Sequence, residues 1–358
     1  MISFGLPRND VVQIVCGSYD ELPAVERNGT IGRVRTDEGE DVYIYWDGWH
    51  LMGGKPQEGD VPADMMLFDV SSGEHAVLVG ISDEYVVPED GYNLVVPATY
   101  QGLPVTTIGS GDEPDWDDPF VPVFFGCKAV SSDAALSIAD YAFVGCASLT
   151  GASFPAATSI GQSAFSECAS LDAVSFPAAT SIGENAFNYC ASLASASFPE
   201  VRDIADYAFY RCTSLTAVSF PEVTSIGEDA FWGCTALDSI SFPKAESIGM
   251  SAFSSCTSLT EASFPAATAL SQQSFGGCTA LSSASFPAVS FIDHYAFSLC
   301  TGITEVEFGP ITTITTSSFD DWTFYDTDGT TVLNKTVENL RNSTFRGTAS
   351  KLVKQIPS

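Results

Sequence analysis

Residues 160–177 read I-G-Q-S-A-F-S-E-C-A-S-L-D-A-V-S-F-P, and this pattern returns every 22 residues. The cysteine keeps the step without a slip at eight positions: Cys146, Cys168, Cys190, Cys212, Cys234, Cys256, Cys278 and Cys300. A fixed period in the low twenties is the signature of a solenoid, in which each repeat forms one coil and buries its apolar side against its neighbours. The sequence therefore predicts a solenoid before any local pattern is considered.

Each coil contains two local patterns. The apolar residues of the first part fall at steps of three and four, which favours one face of a short helix: Ile160, Ala164, Phe165, Cys168 and Leu171. Val174 and Phe176 alternate with a serine, which favours a short strand that the following proline ends. We therefore expect an α/β solenoid of 22-residue coils, with a short parallel strand plus a short helix in each coil, flanked by small β-rich modules.

The repeated motif S-I-G-x-x-A-F-x-x-C-x-S-L resembles that of the BspA-type leucine-rich repeat family, and the resemblance covers most of the chain. Residues 95–109 are similar to the first coils of such proteins. The resemblance implies an exposed, non-enzymatic recognition or adhesion surface, displayed on a cell surface or outside the cell. It does not identify the ligand, and the partner that we expect is a host-surface protein or a glycan.

The period also divides the chain. Residues 1–65 do not repeat and form a β-rich N-terminal module, whereas residues 66–319 form the leucine-rich repeat solenoid. Within the solenoid, residues 66–145 make irregular coils that carry an acidic insertion at 109–120. Residues 320–358 leave the period and read as a C-terminal β-hairpin cap or tail.

The N-terminal module contains Asp47-Gly48 between two β-prone runs, which is a strong hairpin signal. The stretch from Asn28 to Trp49 resembles small β modules of phage tail and appendage proteins. The N-terminus lacks a classical signal peptide. We therefore expect exposure on a virion or on a cell surface, with this module as a tether that contacts other virion or envelope proteins.

Charge excludes two classes of partner. Forty-five acidic residues face fourteen Lys and Arg, and the net charge is −31. Binding to nucleic acid or to an anionic membrane through a basic patch is therefore not expected. No apolar run approaches the ~18 residues of a membrane helix, so we expect no membrane insertion. The acidic surface serves solubility or attracts divalent cations, and composition alone leaves both open.

The cysteine ladder has three readings. Equivalent atoms of stacked coils lie roughly 5 Å apart, but the thiols point the same way, which is poor geometry for disulfides. Metal sites need cysteines in short pairs, and no CxxC occurs. We interpret the ladder as buried small hydrophobes and leave its redox state open. Trp322 stands 22 residues after Cys300, where it would close the ladder.

The helix side of the coils carries the candidate ligand-binding residues: Tyr189, Tyr207, Tyr210 and Trp232. Tyr210 and Trp232 occupy one position on consecutive coils, so they could stack on a sugar ring or anchor a protein. The alternative is isolated surface aromatics without a ligand. The strand side instead presents a stripe of serines, which suits either tight curvature or a hydrogen-bonding surface.

Two acidic segments offer oxygen ligands for calcium at short spacing: Asp112, Asp115 and Asp117, and separately Asp326 and Asp328. Solvated acidic loops are the alternative, since neither segment contains a full EF-hand loop. No other cofactor is expected. The three histidines lie in no nucleophile or metal-binding motif, so we expect no enzyme. The sequence thus favours a recognition or adhesion protein, with a rigid spacer that has no specific ligand as the alternative.

Overall fold

This computed structural model describes residues 60–62, 65–82, 91–111, 124, 126–319 and 322–355, and four strands before them. Those four strands form one sheet. The first pair is parallel and the next two pairs are antiparallel, with Tyr45 opposite Trp49. The Asp47-Gly48 pair predicted to form a hairpin turn lies outside the described residues. The strands are Gln13–Cys16, Thr30–Thr36, Gly39–Tyr45 and Trp49–Leu51.

The solenoid has a front made of parallel strands, one from each coil. Residues 22 positions apart pair in register, as Ala152 does with Val174, and about eight coils keep this period. Two irregular coils precede them. The front strands are Tyr92–Val95, Cys127–Ser131, Gly151–Ser153, Ala173–Ser175, Ser195–Ser197, Ala217–Ser219, Ser239–Ser241, Glu261–Ser263, Ser283–Phe286 and Glu305–Phe308.

After each front strand the chain forms a second strand, which in most coils has two residues. These second strands pair in parallel and form a second row. Met66–Asp69 and Thr99–Tyr100 pair antiparallel with members of this row at its N-terminal end. The row consists of Ala76–Ile81, Leu103–Ile108, Ser137–Ile138, Ser159–Ile160, Ser181–Ile182, Asp203–Ile204, Ser225–Ile226, Ser247–Ile248, Ala269–Leu270, Phe291–Ile292 and Thr313–Ile314.

The third side of each regular coil, which we call the turn face, is not a helix, and the predicted short helix per coil is wrong. Ser163 and Glu167 have φ of 52° and 62°, outside the α region. Amides of this segment donate to the next coil instead, as Phe165 N does to Ala186 O at 2.8 Å. Between these bonds, i→i+3 turns such as Ser166 N to Ser163 O at 3.1 Å return the chain to the core.

The C-terminal cap closes the front. Strand Thr344–Thr348 pairs antiparallel with Glu305–Phe308, the last front strand, and so satisfies its open edge. The remaining elements are the 3₁₀ turn Thr316–Phe319, the helix Val337–Leu340 and the strands Phe324–Tyr325, Val332–Leu333 and Lys351–Lys354. Within the described residues, no helix has the length and apolar character needed to cross a bilayer.

Two phenylalanine columns fill the core. Phe209, Phe231 and Phe253 are completely buried and stack at centroid distances of 5.2 and 5.3 Å along the axis. The column that ends each front strand, such as Phe220 and Phe242, meets them edge-on or tilted. Burial of this much aromatic surface is the main stabilising contribution that one coil receives from its neighbours.

The nine described cysteines are buried free thiols. In the regular coils each Sγ donates to a phenylalanine carbonyl of the preceding coil, as Cys212 does to Phe187 O at 3.2 Å. Burial raises the pKa of the Cys127 thiol to about 12, so its reactive thiolate is scarce at neutral pH. The ladder therefore ties coils together through packing and weak hydrogen bonds.

We expect these nine thiols to resist a thiol reagent such as DTNB in the folded protein at pH 8, because their burial keeps the reagent from the sulfur atoms. All nine should react at once in guanidinium chloride. The measurement uses a Cys16→Ser variant, since that side chain lies outside the described residues. Fast labelling of several thiols in the native variant would contradict the buried ladder.

Candidate functional site

An aromatic patch lies on the turn face of three consecutive coils. We define it as Tyr189, Tyr207, Tyr210 and Trp232 together with Arg211. Tyr210 and Trp232 stack with centroids 4.9 Å apart and planes at 12°. Tyr189 and Tyr207 meet Tyr210 at 5.6 and 5.8 Å. The structure thus brings together the four residues singled out in the sequence.

Arg211 holds the centre of the patch. Its guanidinium carbon lies 5.1 Å from the Trp232 ring centroid, 5.6 Å from that of Tyr189 and 5.9 Å from that of Tyr210. A guanidinium at this distance is attracted to the electron-rich ring faces. Sequence reasoning missed Arg211, although it stands 22 residues after Tyr189 and so occupies the same position one coil later.

Backbone bonds between coils fix the spacing of the rings. Tyr189 N donates to Tyr210 O, and Arg211 N donates to Trp232 O, both at 2.8 Å. Tyr189, Tyr207 and Arg211 each have φ of 57°, a left-handed conformation that non-glycine residues adopt at some cost. The repeated hydrogen bonds hold them there, so the patch sits on a rigid frame.

Carboxylates border the patch on one side. Tyr207 Oη donates to Glu228 Oε1 at 3.4 Å, and the Glu228 amide donates to Asp206 Oδ1 at 2.7 Å. Partial burial, followed by the charge of Glu228, raises the pKa of the Asp229 carboxyl. This acidic side disfavours an anionic ligand and offers acceptors for hydroxyl groups. Asp229 was also missed, although it follows Tyr207 by one coil.

The serine stripe runs along the front with its side chains exposed or half-buried. It consists of Ser153, Ser175, Ser197, Ser219, Ser241, Ser263 and Ser285. Ser285 Oγ donates to Glu307 Oε2 at 2.7 Å, and Glu307 occupies the equivalent position in the following coil. Many exposed threonine hydroxyls elsewhere on the coils are already committed, since they donate to the carbonyl 22 residues earlier, as Thr260 does to Asp238 O at 2.9 Å. Such hydroxyls bind the preceding coil and are not free to recognise a ligand.

A shallow groove of about 670 Å³ lies over the N-terminal part of the front. Val95, Val130 and Val174 line it together with stripe serines, and Asp60 stands at its end. Asp60 Oδ1 accepts a hydrogen bond from Asn93 at 3.3 Å. Its lining consists mostly of short apolar and hydroxyl side chains, so it lacks the ring faces that distinguish the aromatic patch.

Of the candidate calcium ligands, the structure describes Asp326 and Asp328. Asp112, Asp115 and Asp117 lie outside the described residues. Asp328 accepts three hydrogen bonds from the backbone and hydroxyl of its own turn, led by Thr331 Oγ1 at 2.6 Å, and these bonds hold its pKa well below the usual range. The neighbouring Asp326 accepts from the Thr327 amide at 2.7 Å. The described residues contain no group of three or more ligands that could hold a metal, and calcium binding stays a prediction.

Two solved structures are among those similar to this chain. A leucine rich cell surface protein from Faecalibacterium prausnitzii A2-165 is 22% identical, covers 76% of this chain and 83% of its own, and superposes with a TM-score of 0.50. A leucine rich repeat protein from T. pallidum is also 22% identical, over 68% of this chain and 90% of its own, with a TM-score of 0.38. No curated protein matches the chain. At this identity the first likeness shows the fold alone.

The family is shown by the repeat itself. Residues 136–245 and 224–351 match the family model described as the BspA type leucine rich repeat region, in six copies. These ranges together span more than half of the 358 residues. The resemblance seen in the sequence is therefore confirmed, and the chain belongs to the BspA-type leucine-rich repeat family.

Proposed function

We propose that this protein is an exposed, non-enzymatic recognition and adhesion protein that binds a glycan or a protein of a host surface through the aromatic patch. The observation that carries the proposal is the stacked pair Tyr210 and Trp232, held at 4.9 Å with Arg211 against the rings. Large rings with a polar handle, fixed on a rigid frame, lose little entropy when they bind.

The rings are not required by the fold. Their position on the turn face is filled by Asn188, Tyr210, Trp232, Ser254, Gly276 and Ser298 in six consecutive coils. The core columns beneath keep the same residue type through all of these coils. An aromatic side chain at a position where serine and glycine also serve therefore supports a role outside folding, and a ligand is that role in this proposal.

In the same proposal the N-terminal module is the tether, and the solenoid projects from a cell envelope or from a virion. The virion version rests on the resemblance of the module to phage appendage modules. The alternative function is a rigid spacer without a specific ligand. The observation that favours the spacer is the repeated threonine-to-carbonyl bonding, which stiffens the coils and occupies exposed hydroxyls.

A double variant, Tyr210→Ala with Trp232→Ala, should abolish binding to the ligands that the wild-type protein captures on glycan and host-protein arrays. The free energy of unfolding should fall by no more than about 1.5 kcal/mol. Both rings are half-buried, and the main interaction lost is the stacking of one ring on the other at the surface. Tyr295→Ala is the matched control, because Tyr295 is 41% exposed on the same face but outside the patch. Unchanged binding by the double variant would refute the proposal, and a wild-type protein that captures nothing would favour the spacer.

A further inference from the structure

Arg211 carries hydrogen-bond donors that the protein itself does not use. The residue is exposed, and among the described residues its guanidinium makes neither a hydrogen bond nor an ion pair, but only the contacts with Tyr189, Tyr210 and Trp232. A guanidinium presents its N–H donors in a planar fork and has no acceptor. The centre of the aromatic patch therefore offers a ligand donors that are already held in place.

Arg211 lacks a partner within the described chain although acceptors are plentiful in the sequence. There are 45 acidic residues and 14 Lys and Arg. Elsewhere, Lys244 Nζ pairs with Glu222 Oε2 at 2.5 Å, and Arg346 Nη2 pairs with Glu305 Oε1 at 2.9 Å. An arginine that is held against three rings instead of a carboxylate points to an acceptor that comes from outside the protein.

The surroundings of the guanidinium limit the group to which that acceptor belongs. An oxygen that accepts a hydrogen bond from a guanidinium lies roughly 4 Å from the guanidinium carbon. The ring centroids of Trp232, Tyr189 and Tyr210 lie 5.1, 5.6 and 5.9 Å from the same carbon of Arg211. The group that carries the oxygen therefore packs beside aromatic rings, of which Tyr189 is the most exposed at 42%. A small group with an apolar part fits there.

The acidic border determines the charge of the acceptor. Tyr210 contacts both Arg211, at 5.9 Å, and Tyr207, at 5.8 Å, and Tyr207 donates to Glu228. A carboxylate, sulfate or phosphate that approaches Arg211 is repelled by this border and by the net charge of −31. The acceptor that the patch favours is therefore neutral, and a carbonyl oxygen with two lone pairs suits the fork of N–H groups.

We propose that Arg211 is the specificity-determining residue of the aromatic patch and that it donates to the acetamido carbonyl of an N-acetylhexosamine in a glycan. This inference rests on the proposed function and names its ligand class. An acetamido group combines a neutral carbonyl acceptor, an N–H donor and a methyl group. The carbonyl oxygen accepts from Arg211 and the methyl group packs on Tyr189.

A glycan suits this arrangement better than a peptide does. A peptide amide has the same carbonyl and N–H groups, but its main chain continues on both sides of the amide. An acetamido group ends in a methyl on one side. Three ring centroids at 5.1 to 5.9 Å from one guanidinium carbon leave more room for that methyl than for a continuing chain. A sugar hydroxyl alone supplies the acceptor without the apolar part.

One substitution separates the hydrogen bonds of Arg211 from its packing. Arg211→Met removes the donors and keeps an unbranched apolar side chain against the rings. The matched control is Arg202→Met, because Arg202 is exposed on the same coil but lies outside the patch. Melting curves of both variants check that the solenoid stays folded.

Binding is measured by titration calorimetry with chitotriose and cellotriose. These trisaccharides share their linkage and differ only in an acetamido or a hydroxyl group at C2 of each ring. We expect the wild type and Arg202→Met to bind chitotriose at least about tenfold more tightly than cellotriose. Arg211→Met should keep the weak affinity for cellotriose and bind both sugars within about threefold of each other, because only the hydrogen bond to the acetamido group is lost.

Four results would overturn the role of Arg211. They are equal wild-type affinity for the two sugars, an unchanged preference in Arg211→Met, loss of both sugars in that variant, and a wild-type protein that binds neither sugar, even if it captures a peptide or an acidic glycan. In each case, if the Tyr210 and Trp232 double variant still loses the ligand captured on the arrays, the proposed function stands and only the specificity is wrong. If the double variant keeps that ligand, or the wild type captures none, the proposed function itself fails.

Discussion

Replacing Phe231 with alanine should lower the free energy of unfolding by about 3–5 kcal/mol. The Phe231 ring is completely buried, stacks on Phe209 and Phe253 at 5.2 and 5.3 Å, and is met edge-on by Phe220 at 6.2 Å. The frame around it is held by hydrogen bonds between coils, such as Phe231 N to Ala252 O at 2.8 Å. This frame limits collapse into the cavity, which places the cost toward the upper part of that range.

The measurement is denaturant unfolding followed by two probes, because repeat proteins often depart from two-state behaviour. Phe291→Ala is the control for loss of a phenyl ring, since Phe291 is 36% exposed on the second row of strands. It should cost much less than Phe231→Ala. Equal losses for the two variants would show that the stacked column does not dominate stability.

The period made the buried architecture predictable. Every residue 22 positions from Cys212 or Phe209 shares its environment, because parallel coils pair equivalent positions in register. One well-chosen coil therefore predicted the buried faces of the regular solenoid, including the cysteine ladder. The family resemblance followed from the same repeat.

The helix on the turn face could not be excluded from apolar spacing. Successive i→i+3 turns return side chains to the core at steps of three and four, which is also the pattern of an amphipathic helix. What distinguishes them is positive φ, and most residues that carry it here are not glycine. The sequence did contain one indication of positive φ. Glycine, which adopts positive φ readily, occupies the column of Glu167 at Gly145, Gly233 and Gly277, and Glu167 itself has φ of 62°.

The period predicted which columns the residues of the aromatic patch occupy, but not the contacts between their side chains. The period placed Tyr210 and Trp232 one above the other, and the structure stacks them. It also placed Arg211 in the column of Tyr189. Nothing in the spacing indicates that the long, flexible side chain of Arg211 lies near three aromatic rings. Side-chain direction depends on local φ and rotamer, which the repeat alone does not specify.

Replacing Trp322 with alanine should destabilise the C-terminal end of the solenoid by about 3–5 kcal/mol. The indole is 1% exposed and packs on Phe297 and Phe319, each with centroids 5.1 Å away. Its Nε1 also donates to Cys300 O at 2.8 Å, so it ends the cysteine ladder. A terminal coil has a neighbour on one side only, and its stability depends more on such a cap than that of an inner coil does.

Hydrogen exchange shows where the loss falls. In Trp322→Ala, amides of Glu305–Phe308 should lose protection more than those of Ser239–Ser241, because unfolding begins at the weakened end. Trp322→Phe keeps most of the packing and loses the hydrogen bond, so its cost from that bond should be about 0.5–1.5 kcal/mol. Equal loss of protection in both strands would mean that the solenoid unfolds as one unit and that Trp322 stabilises all coils alike.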